Sequence, residues 1–213
     1  MKTQNIFSPS SYKLFGYSFL ILFFELALIR FIPSNVRITA YFINLVLVAA
    51  FLGMGIGIMR ANREKNLTQF FPPLLLLLVG ICVYFSNIIV TAPRLGEAMF
   101  VIYADISPHT REWGMVPVVS IFFTFSALPF IALGYAMGRE FKKFPALHAY
   151  AINTAGSLAG LLVFSLLSYF STPPIIWFSL GGLLYLFLTG KQQSLVVSTI
   201  CLGLIFFLVQ NLY

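Results

Sequence analysis

Long apolar runs decide what this chain can fold into. They cover roughly 14 to 32, 37 to 59, 71 to 90, 116 to 138, 147 to 170, 174 to 189 and 194 to 212. At a helical rise of about 1.5 Å per residue, all but the short sixth run approach or exceed the ~30 Å of a bilayer's hydrocarbon core. Backbone groups in hydrocarbon must be hydrogen-bonded within their own segment or around a closed barrel, and none of these runs alternates as a barrel strand does, so they read as helices. Composition agrees, because 60% of the residues are hydrophobic and only 9% charged, where a soluble domain carries about 25% charge. The mean hydropathy is +0.94. The expected fold is all-α: one polytopic transmembrane domain over residues 1–213, a bundle of about seven helices with lipid as its principal partner. The sixth run begins at Pro173 and Pro174, which suit a first turn that needs no backbone donor.

The net charge of +7 is not read as a nucleic-acid signal, because the basic residues lie in short connections between apolar runs. Alternate connections are unequal. Lys2, Lys13, Arg60, Arg63, Lys65, Arg139, Lys142, Lys143 and Lys191 make nine on one side, against Arg30, Arg37, Arg94 and Arg111 on the other. The positive-inside rule makes the richer side cytoplasmic, with the N-terminus there, and a bacterial inner membrane is the expected location. The first run follows Lys2 and Lys13 like a signal peptide, but it carries Glu25 and no small-residue cleavage motif, so it is expected to remain as a helix. The outer connection, 89 to 114, includes a stretch, Leu95 to Ile106, expected to lie along the interface. Cys82 and Cys201 fall inside apolar runs and read as small hydrophobes.

Glycines recur at four-residue spacing: Gly53 and Gly57, Gly134 and Gly138, Gly156 and Gly160. Between membrane helices such pairs let backbones approach closely, since lipid supplies no hydrophobic drive and dispersion has to hold the helices together. The first two pairs each precede a basic connection, which suggests a repeat. Gly53-x-Gly55-x-Gly57 is packing and not a phosphate loop, because no strand precedes it and no acidic ribose partner follows. In the fifth run Ala149, Asn153, Gly156 and Gly160 share one helix face, a smooth groove holding a single amide. Asn153 is expected to bond to the helix seated there, either as glue or as the lining of a polar cavity.

The chain resembles the multi-spanning N-terminal membrane region of spermidine-synthase-like proteins, transporter-like modules fused to an aminopropyltransferase. The residues that carry the likeness are Glu25 and Arg30, the segment from Phe51 to Gly57, Leu128-Pro129 with Gly134 and Gly138, and Tyr150, Asn153, Gly156 and Gly160, in order over roughly 14 to 190. The resemblance implies shared membrane architecture. The nucleotide-fold domain that would hold decarboxylated S-adenosylmethionine and the amine is missing here, so no enzymatic activity is expected of this chain alone and no cofactor is implied.

Chemistry-bearing residues are few. Glu25 sits mid-run, where an ionised carboxylate costs several kcal/mol unless paired, wetted or protonated. Arg30 lies about 140° round the helix from it, free to snorkel outward. Asn153, Tyr150 and Arg37 are candidate partners for Glu25, and a cation or proton site is the functional alternative to a protonated carboxyl bonded to a carbonyl. His109 with Asp105 and Glu112 has metal-like spacing but reads as a solvated loop, so no metal is expected. His148 is expected at the interface. No nucleophile–base pair is legible, and the seventh run lacks the lysine a retinal Schiff base needs. Two functions follow: a noncatalytic subunit or scaffold packed against other membrane proteins, favoured for the scarcity of buried polar groups, or a small-molecule carrier, for polyamine or another organic cation, using Glu25, Asn153 and Tyr150; third, the resemblance implies the membrane part of a spermidine-synthase-like enzyme whose soluble domain is absent.

Overall fold

The computed structural model describes residues 9–42, 44–62, 66–86, 88–91, 112–190 and 195–212. Its α-helices are α1 (Pro9–Asn35), α2 (Asn44–Met59), α3 (Phe71–Ser86), α4 (Met115–Phe141), α5 (Ala146–Tyr169), α6 (Pro174–Thr189) and α7 (Leu195–Gln210). Among the described residues, four helices are long and apolar enough to cross a membrane: α1, α4, α5, and α3 together with the 3-10 turn Thr68–Phe70 before it. The helices α2, α6 and α7 have 16 residues each, about 24 Å of rise.

Two local features depart from an all-helical chain of seven runs. The expected second span from 37 to 59 is broken, since Arg37–Phe42 form a 3-10 turn and α2 begins at Asn44. The third helix stops at Ser86, and Ile89–Thr91 instead forms a strand (β1) paired in parallel with Glu112–Gly114 (β2). Helix boundaries otherwise shift by a few residues, and α1 starts at Pro9, not 14. The stretch from Leu95 to Ile106 lies outside the described residues.

Proline sets several boundaries. Pro72 and Pro73 occupy the first turn of α3, and Pro173 and Pro145 precede α6 and α5, where no helical donor is lost. Pro129, by contrast, lies inside α4.

The most extensive contacts join α2 to α4 and α1 to α5. In both the partners run parallel: Gly156 meets Phe15 and Ser18 while Gly160 meets Phe19, and Gly53 meets Ala127 while Gly57 meets Ile131 and Tyr135. Antiparallel contacts complete the bundle. Along α1 and α6, Gly16 touches Leu188, Phe24 touches Gly181, and Phe31 stacks edge-on to Phe178 with ring centres 5.0 Å apart. Phe24 also meets Phe71 at 5.2 Å, and Phe71 meets Tyr185 at 4.9 Å. Tyr185, fully buried, donates its hydroxyl proton to the Thr68 carbonyl at 2.8 Å. Aromatic rings thus knit α1, α3 and α6 into the core.

The contact pattern survives an exchange of α1, α2 and α3 for α4, α5 and α6. The α1–α5 contact becomes α4–α2, α1–α6 becomes α4–α3, α1–α2 becomes α4–α5, and α1–α4 maps to itself. Helix α7 packs against both α3 and α6. The smaller α1–α3 contact has no comparable α4–α6 counterpart. Sequence follows the same exchange: Gly53 and Gly57 precede Gly156 and Gly160 by a constant 103 positions (53 to 156, 57 to 160), and Pro72, Pro73 and Gly80 precede Pro173, Pro174 and Gly181 by 101 (72 to 173, 80 to 181).

Candidate functional site

The polar groups of the interior gather on α1. Ser11, Ser18 and Glu25 recur every seven residues and all are buried; seven residues fall 20° short of two full turns, so they form one stripe. Ser18 lies at the seat of Gly156, and its hydroxyl stands 2.7 Å from Asn153 Oδ1 on α5 and 2.8 Å from the Leu14 carbonyl. One hydroxyl proton serves one acceptor at a time. With the Asn153 amide turned over, its NH2 donates to Ser18 while Ser18 donates to Leu14, and both bonds form together. Asn153 therefore bonds to α1, at the close crossing made by the two glycines beside it.

Glu25 is only 3% exposed, two turns further along α1. No described residue forms a hydrogen bond or ion pair with its carboxylate. Of its candidate partners Asn153 is engaged with Ser18, Tyr150 is 64% exposed on α5, and Arg37 lies in the 3-10 turn. On α4, which α1 also contacts, Ser126 is fully buried and its Oγ lacks a partner among the described residues. Three residues on, Pro129 has no N–H to give the Phe125 carbonyl, so α4 offers a hydroxyl and a carbonyl without helical partners in one turn.

The glycine seats are defined by what a Cβ would strike. At Gly57 it would meet the Ile131 carbonyl oxygen, the Tyr135 nitrogen at 2.6 Å and the Gly134 carbon at 3.0 Å. At Gly134 it would meet the Met54 oxygen at 2.6 Å, and at Gly138 the Ala61 side chain at 3.0 Å. Gly53 and Gly156 press on the carbonyls of Ala127 and Phe15, and Gly160 on that of Phe19 at 2.5 Å. The two elements suspected as a repeat, ending α2 and α4, are thus the two sides of one crossing.

Helix directions bring Lys13, Arg60, Arg139, Lys142, Lys143 and His148 to one end of the bundle and Arg30 and Arg37 to the other. At the basic end Lys143 bridges Glu140 at 2.7 Å, Arg139 donates to the Tyr135 hydroxyl at 3.3 Å, and Lys142 donates to Asn62. At the opposite end Arg30 donates to the Ser168 hydroxyl and, at 3.4 Å, to its carbonyl, and sits 5.4 Å from the centre of the Trp177 ring. His109 and Asp105 lie outside the described residues, as does the side chain of Glu112. Cys82 and Cys201 are buried free thiols. Open grooves among the described residues include one of ≈ 570 Å³ between α3 and α7 along Gly80, Tyr84 and Phe207 and one of ≈ 600 Å³ beside Tyr41, Asn44 and Phe123. Neither is lined by Glu25, Ser18 or Asn153.

Compared with known proteins, the chain matches no family model, no curated protein and no solved structure. None of these comparisons bears on the likeness to spermidine-synthase-like membrane regions. Sequence reasoning singled out Glu25, Asn153 and the glycines but missed Ser18 and Ser126. The seven-residue step from Ser18 to Glu25 was the available signal for the first; Ser126 carried none.

Proposed function

We propose that this chain is an integral membrane carrier for a small organic cation, polyamine-like in charge, with its N-terminus cytoplasmic in a bacterial inner membrane and all seven helices taking part in the span. The observation that carries the reading is the exchange of α1–α3 with α4–α6. Three helices per half place the halves in opposite orientations, and inverted repeats of this kind underlie alternating access, with the solute site near mid-membrane between the halves. Glu25 and Ser126 are buried polar groups left without described partners on α1 and α4, the two helices that map onto one another. A buried carboxylate on a helix that packs against one carrying an unpartnered hydroxyl suits an ammonium group or a proton, and intramembrane ionisable residues mark such pathways. The collection of basic residues at the end where α1 begins supports the orientation, and the resemblance supports a polyamine-like solute. The test is uptake of labelled putrescine and spermidine into vesicles reconstituted with the purified protein. Glu25→Gln should abolish uptake and leave the folded protein intact; uptake equal to wild type would remove the carboxylate from the mechanism.

A second reading, a noncatalytic subunit packed against another membrane protein, is favoured by α5. That helix is seated on α1 along its glycine face and leaves Tyr150, Leu158, Leu162, Leu166 and Tyr169 exposed. Comigration with a partner after mild detergent extraction, lost in Leu158→Trp, would favour this reading over the carrier.

A further inference from the structure

The carrier reading leaves open what holds each side shut, and two polar contacts at opposite ends of the bundle are placed to do so. At one end Arg30, near the C-terminal end of α1, holds Ser168, near the C-terminal end of α5. At the other Lys142, just past the end of α4, holds Asn62, just past the end of α2. Each contact ties together the final residues of a parallel, glycine-seated pair. Exchanging α1 for α4 and α5 for α2 turns one contact into the other.

Both contacts join one half of the molecule to the other, since α1 and α2 belong to the first half and α4 and α5 to the second. Both also lie beyond the glycine seats: Arg30 is eleven residues past Phe19 along α1, about 16 Å of helix, and Lys142 is four past Gly138 along α4, about 6 Å. Tilting one half against the other about the seats therefore moves these ends most. The Arg30 contact is further anchored by Trp177, whose Nε1 donates to Thr172 Oγ1 at 2.8 Å while Thr172 donates to the Leu167 carbonyl at 2.9 Å, fixing the α5–α6 connection.

We propose that Arg30 with Ser168 and Trp177, and Lys142 with Asn62, are the paired clasps of the two entrances, one breaking when its side opens while the other stays closed. This rests on the alternating-access reading. The structure, with both clasps made, is then the form closed on both sides.

The test uses full-length protein with Cys82→Ala and Cys201→Ala, carrying either Arg30→Cys with Ser168→Cys or Asn62→Cys with Lys142→Cys, each joined by a short bifunctional methanethiosulfonate that reductant releases. A reporter, Ser126→Cys, is probed with an impermeant maleimide in right-side-out and inside-out vesicles. Locking the Arg30–Ser168 end should confine labelling to the basic side, locking the Lys142–Asn62 end should confine it to the opposite side, and reductant should reverse both. Loss of one exposed clasp in the uncrosslinked Lys142→Met variant, about a fivefold change in the open-to-closed ratio, should speed labelling from the basic side only. Labelling that ignores which end is locked overturns the clasps, even where solute uptake is intact. With uptake read in the uncrosslinked clasp variants that retain Ser126, side-specific labelling of the reporter without uptake there supports the clasps and counts against the carrier.

Discussion

Gly55 and Gly57 are two residues apart in α2, and the structure assigns them opposite tolerances. A Cβ at Gly55 meets nothing within 4 Å, whereas one at Gly57 is driven into backbone atoms of Ile131, Gly134 and Tyr135. Rotamer changes cannot relieve backbone contacts. Carbon contacts are comfortable at ~3.5–4.0 Å, so the 2.6 Å approach to the Tyr135 nitrogen requires α2 and α4 to part by about 1 Å. A gap of that size forfeits a quarter to half of each dispersion contact along the seam, and in lipid no hydrophobic gain offsets it. The expected cost of Gly57→Leu is about 3 kcal/mol, a fall of roughly 6–12 °C in melting temperature for a chain of this size. Gly55→Leu should stay within about 0.5 kcal/mol. Unfolding in detergent, followed by the fluorescence of Trp177, buried against Phe164 with ring centres 5.2 Å apart, measures both. Equal melting temperatures for the two variants would refute the α2–α4 seat.

On the other seam, Gly156→Leu should destabilise the bundle by about 2–4 kcal/mol and Leu161→Ala by under about 1 kcal/mol, since Leu161 is 38% exposed; the same melting assay compares them. A double-mutant cycle of Ser18→Ala and Asn153→Ala should give a coupling near ~0.6–1.7 kcal/mol, and zero coupling would mean the two do not bond. Tyr185→Phe leaves the Thr68 carbonyl without the hydroxyl that reaches it and should cost about 1 kcal/mol, read as a lower melting temperature in detergent.

Helical class was legible because lipid imposes one rule on every backbone group, and apolar length reports it directly. Tolerances within helices were legible where a residue type has one use: glycine at four-residue spacing between apolar side chains points to close approach, and Asn153 amid such glycines needs a neighbour. What could not be read was which seat meets which. Gly53 and Gly57 show the same spacing whether they face α4, α5 or a second chain, since the choice belongs to the three-dimensional path. The break at Arg37–Phe42 was hidden because its residues, Arg-Ile-Thr-Ala-Tyr-Phe, are apolar enough to extend a span. Ser126 was hidden because serines inside membrane helices usually bond their own backbone, and only coordinates reveal one that does not.

The seats and the polar groups sit on the same seams, and this has a mechanical reason. Side chains that interdigitate make an interface bistable or rigid, because sliding must lift each knob from its hole. Glycine against carbonyl presents no knob. At the α1–α5 and α2–α4 crossings the halves meet backbone against backbone, with no knobs to lift, whereas the aromatic packing of α1 on α6 also joins the two halves and has to repack when they move. The few polar contacts across the seams add specific resistance to motion, Ser18 with Asn153 beside one seat and the Arg30 and Lys142 contacts at the far ends. A bundle built only to stay rigid gains nothing from placing a carboxylate without a described partner two turns from such a seat; Glu25 there makes sense where its surroundings change as the halves turn.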